Sequence, residues 1–453
     1  MARPARLRLN PGMTSPVADT ALLEAETLAI ARDLIRIESV NTGDPATIGD
    51  GEARAARLIR SLLEEAGYET EYAESRPGRG NLVARLPGAD PSRGALIAHA
   101  HLDVVPAEPA DWTHPPFAAE IHDGFLYGRG ALDMKGHAAA LVAIARAFSR
   151  EGIVPERDLI LAFFSDEEAG GVWGVRWLIE NRPAWFAGAT EAVSEVGGFS
   201  VPLGERRGYL VATAEKGVGW LGVTARGTAG HGSRPTPDNA VTRVARAVAR
   251  IGEHEFPLEP TSAVEAFARR VSELLGEPLA VDDLPGALDR LGIAGPLVAA
   301  GLRNTVSPTV IAGGYKANVI PGEASAQFDI RVLPGGEERL RTEVEALAGD
   351  DVDLRWDRWI PPIEAPPEGP LLDVFAAAVA AEDPEGVLVP FLMPASTDNK
   401  HLARIGVTGY GFVPLRTDAA FDAFGHFHAV DERIPLDALA FSVRTTARIL
   451  RSA

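Results

Sequence analysis

Two short apolar runs constrain the fold of this chain more than any other feature. They lie within Gly94–His101 and Asp158–Phe164. Runs of this kind are typical of strands that a parallel sheet buries on both faces. Helical and strand patterns surround them, and we predict helices over Leu22–Ile37, Gly51–Ala66, His137–Phe148 and Val172–Asn181 and a strand over Asn81–Leu86. This alternation predicts an α/β/α catalytic domain built on a mixed sheet.

The pattern changes near Gly208 and changes back after about Pro361. The central part predicts a small α+β sandwich, with strands over Gly217–Arg226 and Ala324–Val332 and near Thr309 and Val352, helices over Asn239–Ile251 and Glu337–Leu347, and a helical insertion over Glu255–Asn304. The last part predicts strands over Val387–Leu392 and Val407–Phe412 and a helix over Leu436–Ser452. We therefore predict a catalytic domain in two segments, 21–207 and 361–453, interrupted by a lid domain at 208–360.

The composition excludes several classes of function. Among the 453 residues, 63 acidic side chains outnumber 44 lysines and arginines, which gives a formal net charge of −19. Nucleic-acid binding needs a basic surface, so it is not expected here. The chain has no cysteine. Disulfides and thiolate zinc sites are therefore impossible, and His, Asp and Glu must hold any metal.

Nothing in the chain predicts export or a membrane span. The first twenty residues contain no apolar segment of the kind that secretory signals carry, and we interpret Met1–Thr20 as a disordered leader. No run of about 18 apolar residues is present to cross a bilayer. We therefore expect a cytoplasmic protein that acts on a small molecule.

Residues with metal-binding chemistry follow several of the predicted strands. The candidates are His101, Asp103, Asp133, Glu167, Glu168, Glu195 and His428. Residues i and i+2 of a strand face the same side, so Asp103 can accept a ring N–H from His101 and orient its other nitrogen toward a metal. Each candidate taken singly also has an ordinary structural interpretation. The glycine-rich turn Gly128–Gly136 lacks the third glycine of a dinucleotide-binding fingerprint, which disfavours that alternative.

Taken together, two histidines and three acids on separate loops suit a carboxylate-bridged pair of zinc ions about 3.5–4 Å apart. Such a site lowers the pKa of bound water toward about 7. A carboxylate must still carry a proton to the leaving group, and the unligated member of Glu167–Glu168 is suitably placed for this. Cobalt or manganese would also fit, because imidazole and carboxylate sites discriminate poorly among such metals.

With these residues in view, the chain resembles the M20 family of zinc metallopeptidases and aminoacylases from about residue 25 onward. The motifs that carry the resemblance are His101–Pro106, Gly128–Gly136, Ser165–Glu168, Ser194–Gly198 and His428–Glu432. The resemblance implies that Asp133 bridges two zinc ions. It implies His101 and Glu195 as ligands of one ion, and Glu168 and His428 as ligands of the other. Glu167 would be the general base, and Asp103 would orient His101.

The predicted lid carries further motifs of this family. Ala229–Pro235 resembles the segment whose histidine reaches a partner subunit's active site, which implies that His231 stabilises an oxyanion in a homodimer. Lys316–Gly322 and Asp329–Arg331 resemble segments in which Asn318 and Arg331 hold substrate, and an arginine suits a bidentate grip on a carboxylate. Two departures are Ala429, where the family has glycine, and Pro394–Lys400, where it is richer in glycine. His426 is a competing candidate ligand.

Three functional hypotheses remain open from the sequence. The leading one is hydrolysis of an N-acyl amino acid or a C-terminal peptide bond in a small substrate that bears a carboxylate. The second is a dipeptidase or aminopeptidase that recognises a free amine. The third is a non-catalytic metal-binding or ligand-binding relative, against which the intact Glu167 argues.

Overall fold

The computed structural model describes residues 17–453, apart from the side chains of residues 293 and 294. The α-helices are α1 Thr20–Ile35, α2 Gly51–Glu65, α3 Lys135–Glu151, α4 Val175–Asn181, α5 Ala240–Gly252, α6 Ser262–Leu275, α7 Leu284–Ala287, α8 Gly295–Ala300, α9 Glu337–Ala348, α10 Pro370–Glu382, α11 Asn399–Leu402 and α12 Leu436–Ser452. The strands are β1 Thr70–Glu74, β2 Gly80–Leu86, β3 Ala95–His101, β4 Ile121–His122, β5 Phe125–Tyr127, β6 Leu159–Phe164, β7 Ala189–Ser194, β8 Ser200–Leu203, β9 Arg206–Glu215, β10 Gly217–Arg226, β11 Gly230–His231, β12 Thr305–Gly313, β13 Val319–Ile320, β14 Glu323–Val332, β15 Asp353–Ile360, β16 Ile363–Glu364, β17 Gly386–Met393, β18 Thr408–Gly411 and β19 Arg433–Pro435.

The described residues form two compact units. The first ends at Glu195 and resumes over Gly369–Leu388 and Val413–Ala453. The second covers Val196–Glu368 and Val389–Phe412. The domain limit that we predict at 207/208 lies inside β9, whereas the one at 360/361 lies at the end of β15. Most of the predicted leader lies outside the described residues, and α1 begins at its expected last residue, Thr20.

The first unit contains a mixed sheet with the strand order β1-β2-β6-β3-β7. Strand β3 is parallel to both β6 and β7, while β2 is antiparallel to β6. Every residue of β3 and β6 is buried, which explains why both strands are almost wholly apolar. Because β3, β6 and β7 run in one direction, their carboxyl ends lie at the same edge of the sheet.

The second unit contains an antiparallel sheet with the strand order β12-β14-β10-β15. One face is apolar and packs on α5 and α9 around a core that includes Leu221, Val223, Phe328, Ile330, Val244 and Leu340. Side chains alternate between this core and the opposite face, which gives β10 and β14 their alternating sequences. This arrangement confirms the expected α+β sandwich, and α6, α7 and α8 lie within residues 255–304, where we predict a helical insertion.

Several elements escape sequence analysis. Strand β9 pairs with β8, β16 and β18 within the second unit, and the sequence analysis did not predict it. The hairpin of β4 and β5 is also unexpected, and β19 pairs with β5 to complete a small separate sheet. Among residues 17–453, no helix has both the length and the apolar character needed to cross a membrane.

Candidate binuclear metal centre

Four candidate site residues of the first unit lie at or just beyond the ends of three parallel strands. His101 is the last residue of β3, Glu195 directly follows β7, and Glu167 and Glu168 lie in a single helical turn two residues beyond the end of β6. Since the three strands end at one edge of the sheet, their polar residues meet there. The rest of each strand supplies apolar packing that fixes the position of its end.

Asp133 and His428 come from loops that one buried carboxylate holds in place. Oε1 of Glu432 accepts the backbone N–H groups of Leu132 and Asp133 at 2.8 and 3.1 Å. Its Oε2 accepts the Nη1 donor of Arg129 at 2.7 Å. The Nη2 of Arg129 donates in turn to the carbonyl oxygen of His428, at 3.1 Å. Glu432 therefore stabilises both the loop of Asp133, directly, and the loop of His428, through Arg129.

The ligand candidates form two groups that share Asp133. Oδ1 of Asp133 lies 2.9 Å from Nε2 of His101, and the same nitrogen is 3.3 Å from Oε2 of Glu195. Oδ2 of Asp133 lies 3.1 Å from Nε2 of His428, which is 3.2 Å from Oε2 of Glu168. Each group could hold one metal ion. The two oxygens of one carboxylate thus face different histidines.

The electrostatics of this cluster require positive charge. Burial raises the pKa of Glu168 to about 7, and the nearby charge of Asp133 adds to the shift. Burial also raises the pKa of Glu195 well above its ordinary value. Hydrogen bonds to Asp133 and Glu168 raise the pKa of His428 to about 10. Burial would lower the pKa of His101, but the charge of Glu195 and the neighbouring carboxylates raise it well above its usual range. Without a cation, shared protons must therefore compensate the buried carboxylates.

The residues fit a pair of divalent cations. Ligand atoms bound at about 2.0–2.1 Å to a tetrahedral zinc ion are separated by about 3.3 Å, close to the spacings above. In addition, Oε1 of Glu168 is buried and has no hydrogen-bond partner among the described residues. An orphaned carboxylate oxygen in a dry site is costly unless a cation meets it. The donor set of imidazole and carboxylate suits zinc, cobalt or manganese.

Comparison with known proteins now decides the family. The sequence model of peptidase family M20/M25/M40 matches residues 97–452, a span that includes all of the ligand candidates. The chain belongs to this family. The M20 resemblance predicted from the motifs is therefore confirmed, and the chain is a hydrolase of the aminoacylase or peptidase type.

Relatives and solved structures agree with the M20 assignment. Aminoacylase-1 of Pongo abelii is 28% identical over 421 residues, which cover 91% of this chain and 91% of the relative. The N-fatty-acyl-amino acid synthase/hydrolase PM20D1 of Homo sapiens is 26% identical over 389 residues, covering 81% of this chain and 76% of that protein. The M20 family metallo-carboxypeptidase Sso-CP2 from Sulfolobus solfataricus has a TM-score of 0.69 at 17% identity, and the match covers 94% of this chain and 98% of that one. The last similarity confirms the fold.

Asp103 contacts the M20 site differently from our expectation. Its carboxylate oxygen is 3.6 Å from Nδ1 of His101, which is too long for a hydrogen bond, whereas its backbone carbonyl oxygen is 2.9 Å away. The reason is that β3 ends at His101, so the i, i+2 relation of a strand does not extend to Asp103. The carboxylate instead accepts the backbone N–H groups of Glu167 and Glu168 at 3.1 and 3.0 Å. It therefore fixes the turn that carries both acids.

A buried polar network behind this turn was not found from the sequence. Asn41 donates to Oδ2 of Asp103 at 2.8 Å and accepts from Nη2 of Arg79 at 2.8 Å. The other terminal nitrogen of Arg79 donates to Glu52 at 2.5 Å, and the guanidinium lies 3.5 Å from Asp166. The consecutive acids at 166–168 signalled the need for a compensating cation, but no local pattern identified Arg79 as that cation.

Glu167 lies beside the ligands. Its charge contributes to the raised pKa values of both Glu168 and Glu195. Glu167 is partly buried, as Glu168 is, but it belongs to neither group of candidate ligands. Glu167 is thus an acid next to the cluster that is not needed to complete it.

The second unit contains the remaining predicted residues. Strands β11 and β13 pair His231 with Val319, and the N–H of Gly232 donates to the carbonyl oxygen of Asn318 at 2.9 Å. The structure therefore brings His231 and Asn318 together, and both are exposed. Nδ1 of His231 lies 2.8 Å from the Ser233 hydroxyl.

Arg331 already has an acidic partner in the second unit. Its Nε and Nη2 atoms donate to the two carboxylate oxygens of Asp329 at 2.7 and 3.3 Å. The two residues are separated by one position on β14 and therefore lie on the same face of the sheet. About a third of the Arg331 side chain is exposed, at 33%. Its role in binding substrate stays a prediction.

His426 does not join the ligand cluster. Its Nδ1 lies 2.7 Å from the carbonyl oxygen of Asp422, and its ring stacks on Phe421 with centroids 4.6 Å apart. His428, two residues later, contacts Asp133 and Glu168 instead. Its backbone has a positive φ of 61°, a conformation that glycine adopts more readily than histidine.

Proposed function

We propose that this M20 chain binds two zinc ions and hydrolyses the amide bond of an N-acyl amino acid, or a C-terminal peptide bond, in a small substrate that bears a carboxylate. The observation that carries the proposal is the position of Asp133, whose two oxygens face His101 and His428 separately. A bridging carboxylate is the element that a pair of metal ions requires and that a single ion does not.

In this proposal, His101 and Glu195 complete one metal site, and Glu168 and His428 complete the other. Zinc ions bound there would polarise the substrate carbonyl and lower the pKa of coordinated water toward about 7. Glu167 accepts the proton of the attacking water and delivers it to the leaving amine. Glu167 suits this role because it lies close enough for its charge to help raise the pKa values of Glu168 and Glu195, while it is not itself a candidate ligand.

The first test is the substitution Glu167→Gln. We expect the zinc content to stay unchanged and kcat to fall by about 10²–10⁴-fold, because general acid–base catalysis typically contributes that factor. Glu156→Gln serves as the control, since Glu156 forms an exposed ion pair with Arg93 in the same unit. Near-wild-type hydrolysis by Glu167→Gln with both metal ions retained would falsify this role.

The substrate class is proposed from the names of the relatives, which include an aminoacylase and an enzyme of N-fatty-acyl amino acids. A panel of N-acetyl and long-chain N-acyl amino acids, blocked and free dipeptides, and the matching carboxyl amides tests it. We expect turnover of N-acyl amino acids that is lost with chelator and on amidation of the carboxylate. Turnover of free dipeptides alone would replace the acylase proposal with a dipeptidase. If zinc-loaded protein turns over no substrate of the panel, a non-catalytic binding role would be favoured.

We further propose that Arg331 exchanges Asp329 for the substrate carboxylate, and that His231 with Asn318 stabilises the oxyanion in a homodimer. An exposed apolar edge supports the dimer, because Val310 and Ile311 of β12 are 49% and 61% exposed. The substitution Ile311→Lys should shift the protein toward monomer in light scattering. Unchanged mass for this variant, or a monomeric wild type, would contradict the proposed interface.

A further inference from the structure

A second group of candidate metal ligands lies in the first unit, outside the binuclear cluster. It consists of His114, Glu120 and His122, and we call it the hairpin cluster. Nε2 of His122 is 2.8 Å from Oε2 of Glu120, and Nδ1 of His114 is 3.6 Å from the same oxygen. The three ligand atoms all lie within 4.8 Å of one another. This spacing is within the range that one small cation could draw together.

The surrounding elements hold the hairpin cluster but leave it accessible. His122 ends β4, and the tight turn through Asp123 and Gly124 leads into β5. The ring of Tyr127 on β5 lies edge-on to the ring of His114, with centroids 4.5 Å apart. The side chains of the cluster are 21%, 44% and 41% exposed in sequence order, so solvent can deliver an ion.

The chemistry of two imidazoles and one carboxylate selects the type of ion. Zinc, nickel, copper and cobalt favour such ligands, whereas magnesium and calcium favour sites made of oxygen alone. The rings of His114 and His122 stack nearly parallel, with centroids 3.7 Å apart and planes 10° apart. Because imidazole lone pairs lie in the ring plane, one ring must turn about χ2 to share an ion. That torsion is broad and soft for histidine.

The hairpin cluster is connected to the loop that carries His428. Asp431, three residues beyond His428, accepts the backbone N–H and the hydroxyl of Thr113 at 2.8 and 2.7 Å. On the other side, β19 pairs with β5 and sets Arg433 opposite Tyr127. Thr113, directly before His114, and β5, which follows the turn after His122, therefore both contact residues 431–433.

We propose that the hairpin cluster is a third metal site, specific for a divalent transition metal such as zinc, which braces the loop of His428. An ion joined to His114 and His122 would link the two segments that hold residues 431–433. The site lacks a fourth protein ligand and is part-exposed, so it binds more weakly than the binuclear cluster. It fills and empties over zinc concentrations at which the binuclear cluster stays loaded.

Equilibrium dialysis of the full chain against a series of free zinc concentrations, with zinc counted in the protein, tests the binding. We expect wild-type protein to take up a weaker equivalent of zinc beyond the tightly bound metal. His122→Gln and His114→Gln should each lose that equivalent and keep the tight metal. His254→Gln is the matched control, because His254 also forms a single surface pair with a glutamate, Glu343, at 2.7 Å, and it should retain the equivalent.

Hydrogen exchange of residues 425–433, measured with and without the weaker zinc, tests the bracing. Exchange should slow in wild-type protein and in His254→Gln but not in His122→Gln. Identical zinc isotherms for wild type and His122→Gln would overturn the site. Zinc uptake that depends on His122 without any change in exchange would overturn the bracing. A failure of the proposed binuclear centre would appear separately, as loss of the tight metal in every variant.

Discussion

The buried carboxylate of Glu432 provides the sharpest test of how the proposed metal centre is supported. This side chain accepts from Arg129 and from the backbone N–H groups of Gly130, Leu132 and Asp133. It has no solvent-accessible surface, at 0%. The substitution Glu432→Gln keeps the shape of the side chain but replaces one acceptor oxygen with a donor and removes the charge.

The expected loss of stability follows from these contacts. The new NH2 group cannot accept, although the remaining amide oxygen can, so at least one backbone N–H group loses its partner, at a cost of about 1–3 kcal/mol. The guanidinium of Arg129 also loses its buried counter-charge, and breaking such a pair costs about 3–5 kcal/mol. We therefore expect the free energy of unfolding to fall by about 5 kcal/mol. The affinity for zinc should fall by about 10–100-fold, as when the groups that support metal ligands are removed.

Hydrogen exchange of the 128–136 segment in metal-free protein, combined with urea unfolding, measures the loss. Glu65→Gln is the control, because Glu65 is 61% exposed and pairs with Arg146 at 3.3 Å in the same compact unit. Exposed pairs of this kind contribute about 0–1 kcal/mol. A loss for Glu432→Gln no larger than that of the control would refute the reasoning, since it would mean that the donors find other acceptors.

Three further predictions concern charge. Contacts with Asp133 raise the pKa of His428 to about 10. The protonated ring therefore stabilises the fold fully below its ordinary pKa of about 6.5, and this stabilisation is lost as the pH rises toward 10. The Tm of metal-free protein should fall from pH 7 to 10, unlike that of zinc-loaded protein. Burial lowers the pKa of Lys216 to about 7. The destabilisation caused by burying this ammonium group should therefore fade from pH 7 to 10, and the free energy of unfolding of wild type relative to Lys216→Met should rise over that range. A constant difference would contradict this. Arg79→Met should destabilise metal-free protein by about 3–5 kcal/mol in urea unfolding, because Glu52 loses its buried partner.

Sequence periodicity predicted most of the fold. The buried strands β3 and β6 were predicted to within one residue at the start because burial on both faces leaves an unbroken apolar run. Strand β9 could not be found in the same way. Its buried part contains Tyr209, Val211 and Thr213, which favour strands, but the predicted domain limit at 207/208 falls inside it, and its place follows from pairing with distant strands.

The candidate site was predictable where its residues sit in motifs. His101 ends an apolar run, Asp133 lies in a glycine-rich turn and His428 lies in a motif of the M20 family, and such features are visible in one sequence. Residues such as Asn41 and Arg79 are not, because their roles depend on contacts across 62 and 27 positions of chain. The pairing of Arg331 with Asp329 could have been anticipated, since residues two apart on a strand share a face.

The anchor formed by Glu432 also has a consequence for folding. Arg129 and Glu432 are 303 positions apart, so the loops that carry the candidate ligands come together only after nearly the whole chain has been made. Contacts between such distant positions form late, because a long loop must close before they contribute any stability. During synthesis, His101, Asp133, Glu168 and Glu195 would stay without His428 and Glu432 until about the last thirty residues have been made. Metal binding at the proposed centre would then report completed folding, and a chain truncated before His428 should lack the proposed binuclear centre.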